Sequence, residues 1–162
     1  MKFPVMGVLL ISAALAGCQP ATPAPVAPTG AEIAAIAEKA HNDYVAAINS
    51  NDTETLMALL TDDVVYQAPN MPEVVGKPAA REWVAGYFGA YRTQWEKTSL
   101  DFIVSGDWAF ERYAYRSTDT DKATGAVTTD VGKGLNVYRR GTDGVWRIAR
   151  DSWSSNGPPP AA

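Results

Sequence analysis

The chain has 162 residues, a formal net charge of −4, one cysteine and one histidine. This length supports a single packed domain, and the acidic balance argues against a nucleic-acid partner, whose phosphates require a basic face. A single histidine excludes a multi-histidine metal centre and leaves little basis for a nucleophile–histidine triad.

In chain order, Lys2 precedes an apolar run from Val5 to Ala16 that closes on Leu15-Ala16-Gly17-Cys18. A charged start, a short apolar middle and small residues at the cut form the layout of a secretory signal. The run falls short of the roughly 20 apolar residues that span a bilayer. Residues 19–30 carry four prolines and no charge, which predicts an extended, semi-rigid tether. The folded domain is expected over 31–157, with a disordered proline-rich tail at 158–162.

Thr29 and Glu32 form a capping box, after which Ile33, Ile36, Ala37, Ala40, Tyr44, Ala47 and Ile48 recur at helical spacing. Asn49 to Asp52 breaks that helix and caps a short second one over Thr53–Leu60. Thr61-Asp62-Asp63 reads as a turn and Val64–Ala68 as a strand. Pro69 to Pro72 reads as a loop, and Pro78 suits the first turn of a third helix. That helix carries Trp83, Val84, Tyr87, Phe88 and Tyr91 on one stripe. The remainder reads as β structure. Leu100, Phe102 and Val104 alternate before a Gly106-Asp107 turn, and strands follow over Trp108–Ser117, Thr128–Arg139 and Val145–Trp153. Helices first and a meander last predict an α+β domain with a curved antiparallel sheet wrapped on three N-terminal helices.

Two resemblances add to this reading. Leu15-Ala16-Gly17-Cys18 resembles the lipobox of bacterial lipoproteins. That implies a signal peptide over 1–17, diacylation of Cys18 and a lipid anchor in the membrane. The lipid would leave no thiol for a disulfide or a thiolate metal site. Gln19, a non-acidic residue after the cysteine, implies the outer membrane facing the periplasm if the cell is Gram-negative.

The second resemblance covers about 31–157. It rests on Ala47-Ile48-Asn49-Ser50-Asn51-Asp52, Leu60-Thr61-Asp62-Asp63-Val64-Val65-Tyr66, Gly76-Lys77-Pro78-Ala79-Ala80-Arg81-Glu82 and Trp146-Arg147-Ile148-Ala149-Arg150-Asp151-Ser152-Trp153. Their order and spacing resemble SnoaL-like, ketosteroid-isomerase-related domains of the nuclear-transport-factor-2-like superfamily. This implies a cone-shaped fold, without specifying an activity. Of the three pocket residues used by steroid isomerases, the helix-one tyrosine is matched by Tyr44. The second oxyanion donor is matched by Asn136, whose amide can donate without a raised pKa. The general base is matched by Ala68, so steroid-type isomerisation is not expected.

Asp151 shares a strand face with Trp153, so it is the remaining candidate for a base; a salt bridge to Arg112 or Arg150 is the favoured alternative. Trp83, Tyr87 and Trp153 are expected as pocket walls, and most other aromatics as core. The inward face of the strand carrying Glu111 stays open, and His41 is expected to be solvated or capping. No cofactor and no metal are expected. The leading expectation is an envelope lipoprotein binding a small apolar ligand. The alternatives are an isomerase, hydratase or cyclase acting on an apolar carbonyl compound, with Asp151 as base and Tyr44 and Asn136 as electrophiles, or an interaction module that forms a homodimer through its open sheet face.

Overall fold

The computed structural model describes residues 28–157. The segment 1–17, Cys18, most of the tether and the tail at 158–162 lie outside the described residues. Helix α1 spans Gly30–Asn49 and begins with the capping box: Glu32 N donates to Thr29 Oγ1 at 3.3 Å, and the Glu32 carboxylate accepts from Thr29 N at 2.7 Å. Its buried face is Ala40, Tyr44, Ala47 and Ile48. Asn51, at φ +54°, turns the chain, and Asp52 caps α2 (Thr53–Ala58) by accepting from Thr55 N.

The Thr61-Asp62-Asp63 turn expected from polarity is part of a strand, β1 (Leu60–Gln67). It pairs in parallel with the last strand, and the register slips between Leu60 and Val65. This irregularity accommodates the polar trio, so tertiary pairing overrides the local turn signal. A two-residue strand β2 (Val74–Val75) pairs back on β1, and α3 (Lys77–Ala90) follows with Pro78 in its first turn.

Strand β3 (Tyr91–Ser105) begins directly where α3 stops, far earlier than the Leu100-Phe102-Val104 alternation suggests. A register shift between Ser99 and Asp101 turns Leu100 out to solvent, while Phe102 and Val104 pack on the core. Strands β4 (Trp108–Asp121), β5 (Val127–Arg140) and β6 (Trp146–Ser155) complete the meander. The six strands run in the order β2-β1-β6-β5-β4-β3, antiparallel except for the β1–β6 pair. The core lies between the helices and the inner face of this sheet, built from Leu56, Leu60, Val64, Val84, Phe88, Tyr138 and Ile148.

Side-chain alternation gives the inner face an unusual content. On β4 it reads Ala109, Glu111, Tyr113, Tyr115, Ser117, all buried. On β5 the inward residues are Gly132, Gly134, Asn136 and Tyr138, and on β6 they include Asp151 and Trp153. Strand register then sets Glu111 opposite Asn136, Asn136 opposite Asp151, and Asp151 opposite Tyr66. Two carboxylates therefore stand in one row across the sheet, on either side of an amide.

Candidate functional site: an aromatic cavity with a carboxylate in its wall

Above that row lies a cavity of about 40 Å³ between α1, α2, α3 and the sheet. Its aromatic walls are Tyr66, Trp83, Tyr87, Phe88, Trp95 and Trp153. Trp83 stacks on Tyr87 with centroids 5.7 Å apart, and Tyr66 meets Trp83 and Trp153 edge-on at 5.7 and 6.1 Å. Offset and edge-on contacts of this kind are the favourable aromatic geometries. Asp151 is the one charged residue in the wall among the described residues.

Asp151 is 4% exposed and accepts from two phenols: Tyr44 Oη donates to Oδ2 and Tyr113 Oη to Oδ1, each at 2.8 Å. The expected ion pair with an arginine is not formed. Arg112 and Arg150 lie on the opposite face of their strands, where Arg112 donates to Asp101 at 3.1 Å and Arg150 to the carbonyl of Asp63 at 3.0 Å. Burial, reinforced by the charge of Asp151, holds both Tyr44 and Tyr113 well above the usual phenol range. These two tyrosines stay protonated and serve as donors.

Tyr113 reaches Asp151 by crossing a whole strand. It is paired on β5 with Gly134, and a Cβ there would collide with the Tyr113 hydroxyl and stand 2.6 Å from the Ser152 carbonyl. Tyr115 lies over Gly132 in the same way and donates to Asp130 at 2.7 Å. The glycines are needed here for space, because the β4 rings occupy the volume their side chains would fill.

Lys97 stands behind Asp151. Its ammonium lies 3.5 Å from the Tyr113 ring centroid and 4.8 Å from that of Tyr44, a cation–π arrangement. It is buried with no hydrogen-bond partner and is not part of the cavity wall. Burial lowers its pKa, opposed by the nearby charges of Asp151 and Glu111.

A second cluster lies beside the first. Glu111 is fully buried and takes His41 Nδ1 at 2.5 Å on one oxygen, with Tyr138 Oη at 2.7 Å and Asn136 Nδ2 at 3.0 Å on the other. His41 Nε2 points to the Lys97 carbonyl at 3.2 Å. Burial pushes the Glu111 carboxyl up, but the hydrogen bonds from His41 and Tyr138 and the His41 charge outweigh it and hold the group down at about 2.

Trp83, Tyr87 and Trp153 line the cavity, as does Tyr44, whose proton is committed to Asp151. Asn136 does not line it. Its amide serves Glu111 and the Tyr138 oxygen, which removes it from the expected oxyanion role. His41, expected to be solvated or capping, is instead bound to Glu111 because α1 packs on β3. Ala68 follows the end of β1 and supplies no titratable group. Tyr113, Lys97, Tyr66 and Glu111 complete the polar set. The signal for Lys97 was the alternation Thr93-Trp95-Lys97, which puts it on the face of two core residues.

The SnoaL-like domain family model matches residues 41–151. A ketosteroid isomerase-like protein from Erwinia carotovora atroseptica is 34% identical, with a TM-score of 0.72 over 80% of this chain and all of that one. A conserved protein from Planctomyces limnophilus is 22% identical, with a TM-score of 0.68 over 75% and 96% of the two chains. A type 2 hexachlorocyclohexane dehydrochlorinase (LinA) is 18% identical, with a TM-score of 0.65 over 80% and 88%. Those last two likenesses speak to the fold. No curated protein matches the chain.

Proposed function

The chain belongs to the SnoaL-like domain family, and within that family we propose that it is a cell-envelope lipoprotein whose cavity binds a small, largely apolar ligand. The observation that carries this reading is the ring of Trp83, Tyr87, Trp95 and Trp153 around a space with a single buried carboxylate in its wall. Small-molecule sites take this form, although drug-sized ligands need roughly 300 Å³ or more. At about 40 Å³ the cavity holds a few atoms, so a ligand enters by displacing Trp83, Tyr87 and Trp153, which are only partly buried. Native mass spectrometry of protein extracted from its own membrane tests the reading. A retained small molecule that is lost when Trp153 is replaced by Ala supports it. Ligand-free protein, with no response of the indole signals to small aromatic probes, removes it.

Envelope anchoring rests on Leu15-Ala16-Gly17-Cys18 and the proline-rich stretch behind it. A mature N-terminus at a diacylated Cys18 is the expected mass-spectrometric result, and an N-terminus downstream of Cys18 refutes it.

A catalytic reading has one observation in its favour. Asp151 lines the cavity free of any arginine, with two phenols holding its oxygens. A carboxylate so placed suits proton abstraction from a bound carbon acid. The likeness to a ketosteroid isomerase-like protein is consistent with chemistry of that kind. Homodimer formation is supported by exposed Leu100, Ile103, Phe110, Val131 and Leu135 on the outer face of β3, β4 and β5. Sedimentation of the soluble domain as a monomer at high concentration would exclude it.

A further inference from the structure

The cavity wall holds more hydrogen-bond donors than it uses. Tyr44 gives its proton to Asp151, and Tyr87 gives its proton to Asp119 at 2.6 Å. Tyr66 Oη and Trp95 Nε1, both on residues that line the cavity, are buried and make no hydrogen bond of good geometry, although the Tyr44 hydroxyl stands beside the first and the Tyr87 hydroxyl beside the second. Tyr66 is 2% exposed, so its hydroxyl has no access to bulk water. An indole N–H can only donate, and burying an unmet donor costs about 1–3 kcal/mol. Natural proteins rarely leave such a group without a role.

These two orphans flank the space from opposite sides. Tyr66 is on β1 and Trp95 on β3, toward the two ends of the strand order, and the Trp153 ring touches both at 6.1 and 6.4 Å. The acceptor side is different, because each Asp151 oxygen already takes one phenol. Its negative charge in the wall also disfavours an anionic ligand. The buried cationic donor without a partner, Lys97 Nζ, is off the wall and offers such an anion no compensation.

We propose that Tyr66 is a specificity-determining residue: its hydroxyl donates to an acceptor oxygen on a neutral ligand, and Trp95 Nε1 provides a second donor on the facing wall. This rests on the ligand-binding reading above and narrows it to neutral compounds with carbonyl-type or ether-type oxygens. Hydrocarbons are bound more weakly than such compounds, and carboxylic acids are excluded. The role belongs to Tyr66 itself, at a position that sequence analysis assigns to the core.

Acetophenone and α-methylstyrene test the proposal, since they differ only in C=O against C=CH2. Binding is followed through the indole N–H signals of Trp83, Trp95 and Trp153 in the folded domain, with wild type and Tyr66→Phe compared. The variant is expected to weaken acetophenone about tenfold and leave α-methylstyrene unchanged, the signature of one lost hydrogen bond. An equal effect on both probes, or no effect on either, overturns the assignment while leaving the cavity a binding site. If neither probe binds wild type, the ligand-binding reading fails first and takes the assignment with it. Unliganded stability gives an independent check. Removing an unpartnered hydroxyl should leave the urea midpoint unchanged or raised, whereas a clear drop, or failure to fold, means that the hydroxyl already has a partner and overturns the proposal.

Discussion

The inner face of the sheet carries two buried carboxylates, one residue apart in the same cross-strand row, and they are treated in opposite ways. Glu111 receives a histidine, a phenol and an amide, and none of these four side chains reaches the cavity wall. Asp151 receives two phenols and no cation at hydrogen-bond distance, and it faces the cavity. The first is a closed structural cluster, with both carboxylate oxygens taken by protein donors. The second keeps its charge beside space and beside unpartnered donors. The contrast separates a carboxylate that holds the fold from one that is available to a ligand, although both are almost fully buried.

The strongest challenge to that division is to neutralise each carboxylate in turn. Glu111→Gln takes the charged acceptor from three donors at once, His41, Tyr138 and Asn136, and is expected to cost about 3 kcal/mol, since hydrogen bonds to a buried charged group are among the strongest to lose. Asp151→Asn should cost about 1 kcal/mol, because phenol hydroxyls can accept as well as donate and Lys97 can release its proton. Urea denaturation of both variants decides the matter, and equal losses would erase the distinction.

The pH profile sharpens it next. Glu111 sits at about 2 in the fold against an ordinary 4.5, so its contribution is complete above the unfolded value and is lost as pH falls through that window. Wild type should therefore lose stability between about pH 4.5 and pH 2, with a shallower slope in Glu111→Gln. On the alkaline side, burial raises Tyr44, Tyr113 and Tyr138 above the usual phenol value. Their stabilisation is present below pH 10 and fades as pH rises beyond it, and this limb draws on both clusters. Gly134→Ala is expected to fall between the two carboxylate variants, at about 2 kcal/mol by overpacking. A Cβ there meets the Tyr113 hydroxyl and the Ser152 carbonyl. That variant should also release Asp151 from one phenol, visible as a changed Tyr113 ring environment by NMR, while the His41–Glu111 pair is left intact.

The helices were legible in the sequence because caps and periodicity are local: Thr29, Glu32, Asp52 and Pro78 mark their own termini. The meander was legible from alternation and glycine turns, apart from the early start of β3 and the irregular entry to β1. The site was legible only where residues two apart share a face, as with Asp151 and Trp153. The face of Glu111 was not, because Trp108 and Phe110 supply an outward apolar pattern that competes with inward Tyr113 and Tyr115. Nor was the Glu111–Asn136–Asp151 row, since it depends on pairing across three strands, including a register shift between Val137 and Tyr138 that leaves no local mark.

Strand β5 gives the carboxylate of Asp151 no atom at hydrogen-bond distance, yet Gly134 decides whether Tyr113 can reach it. The vacancy on β5 is a measured gap through which its neighbours on either side communicate. A catalogue of ligand contacts would pass over such a position in silence. For anyone re-engineering the cavity, it is a control point: the carboxylate's partners can be changed by editing a residue that never touches the occupant.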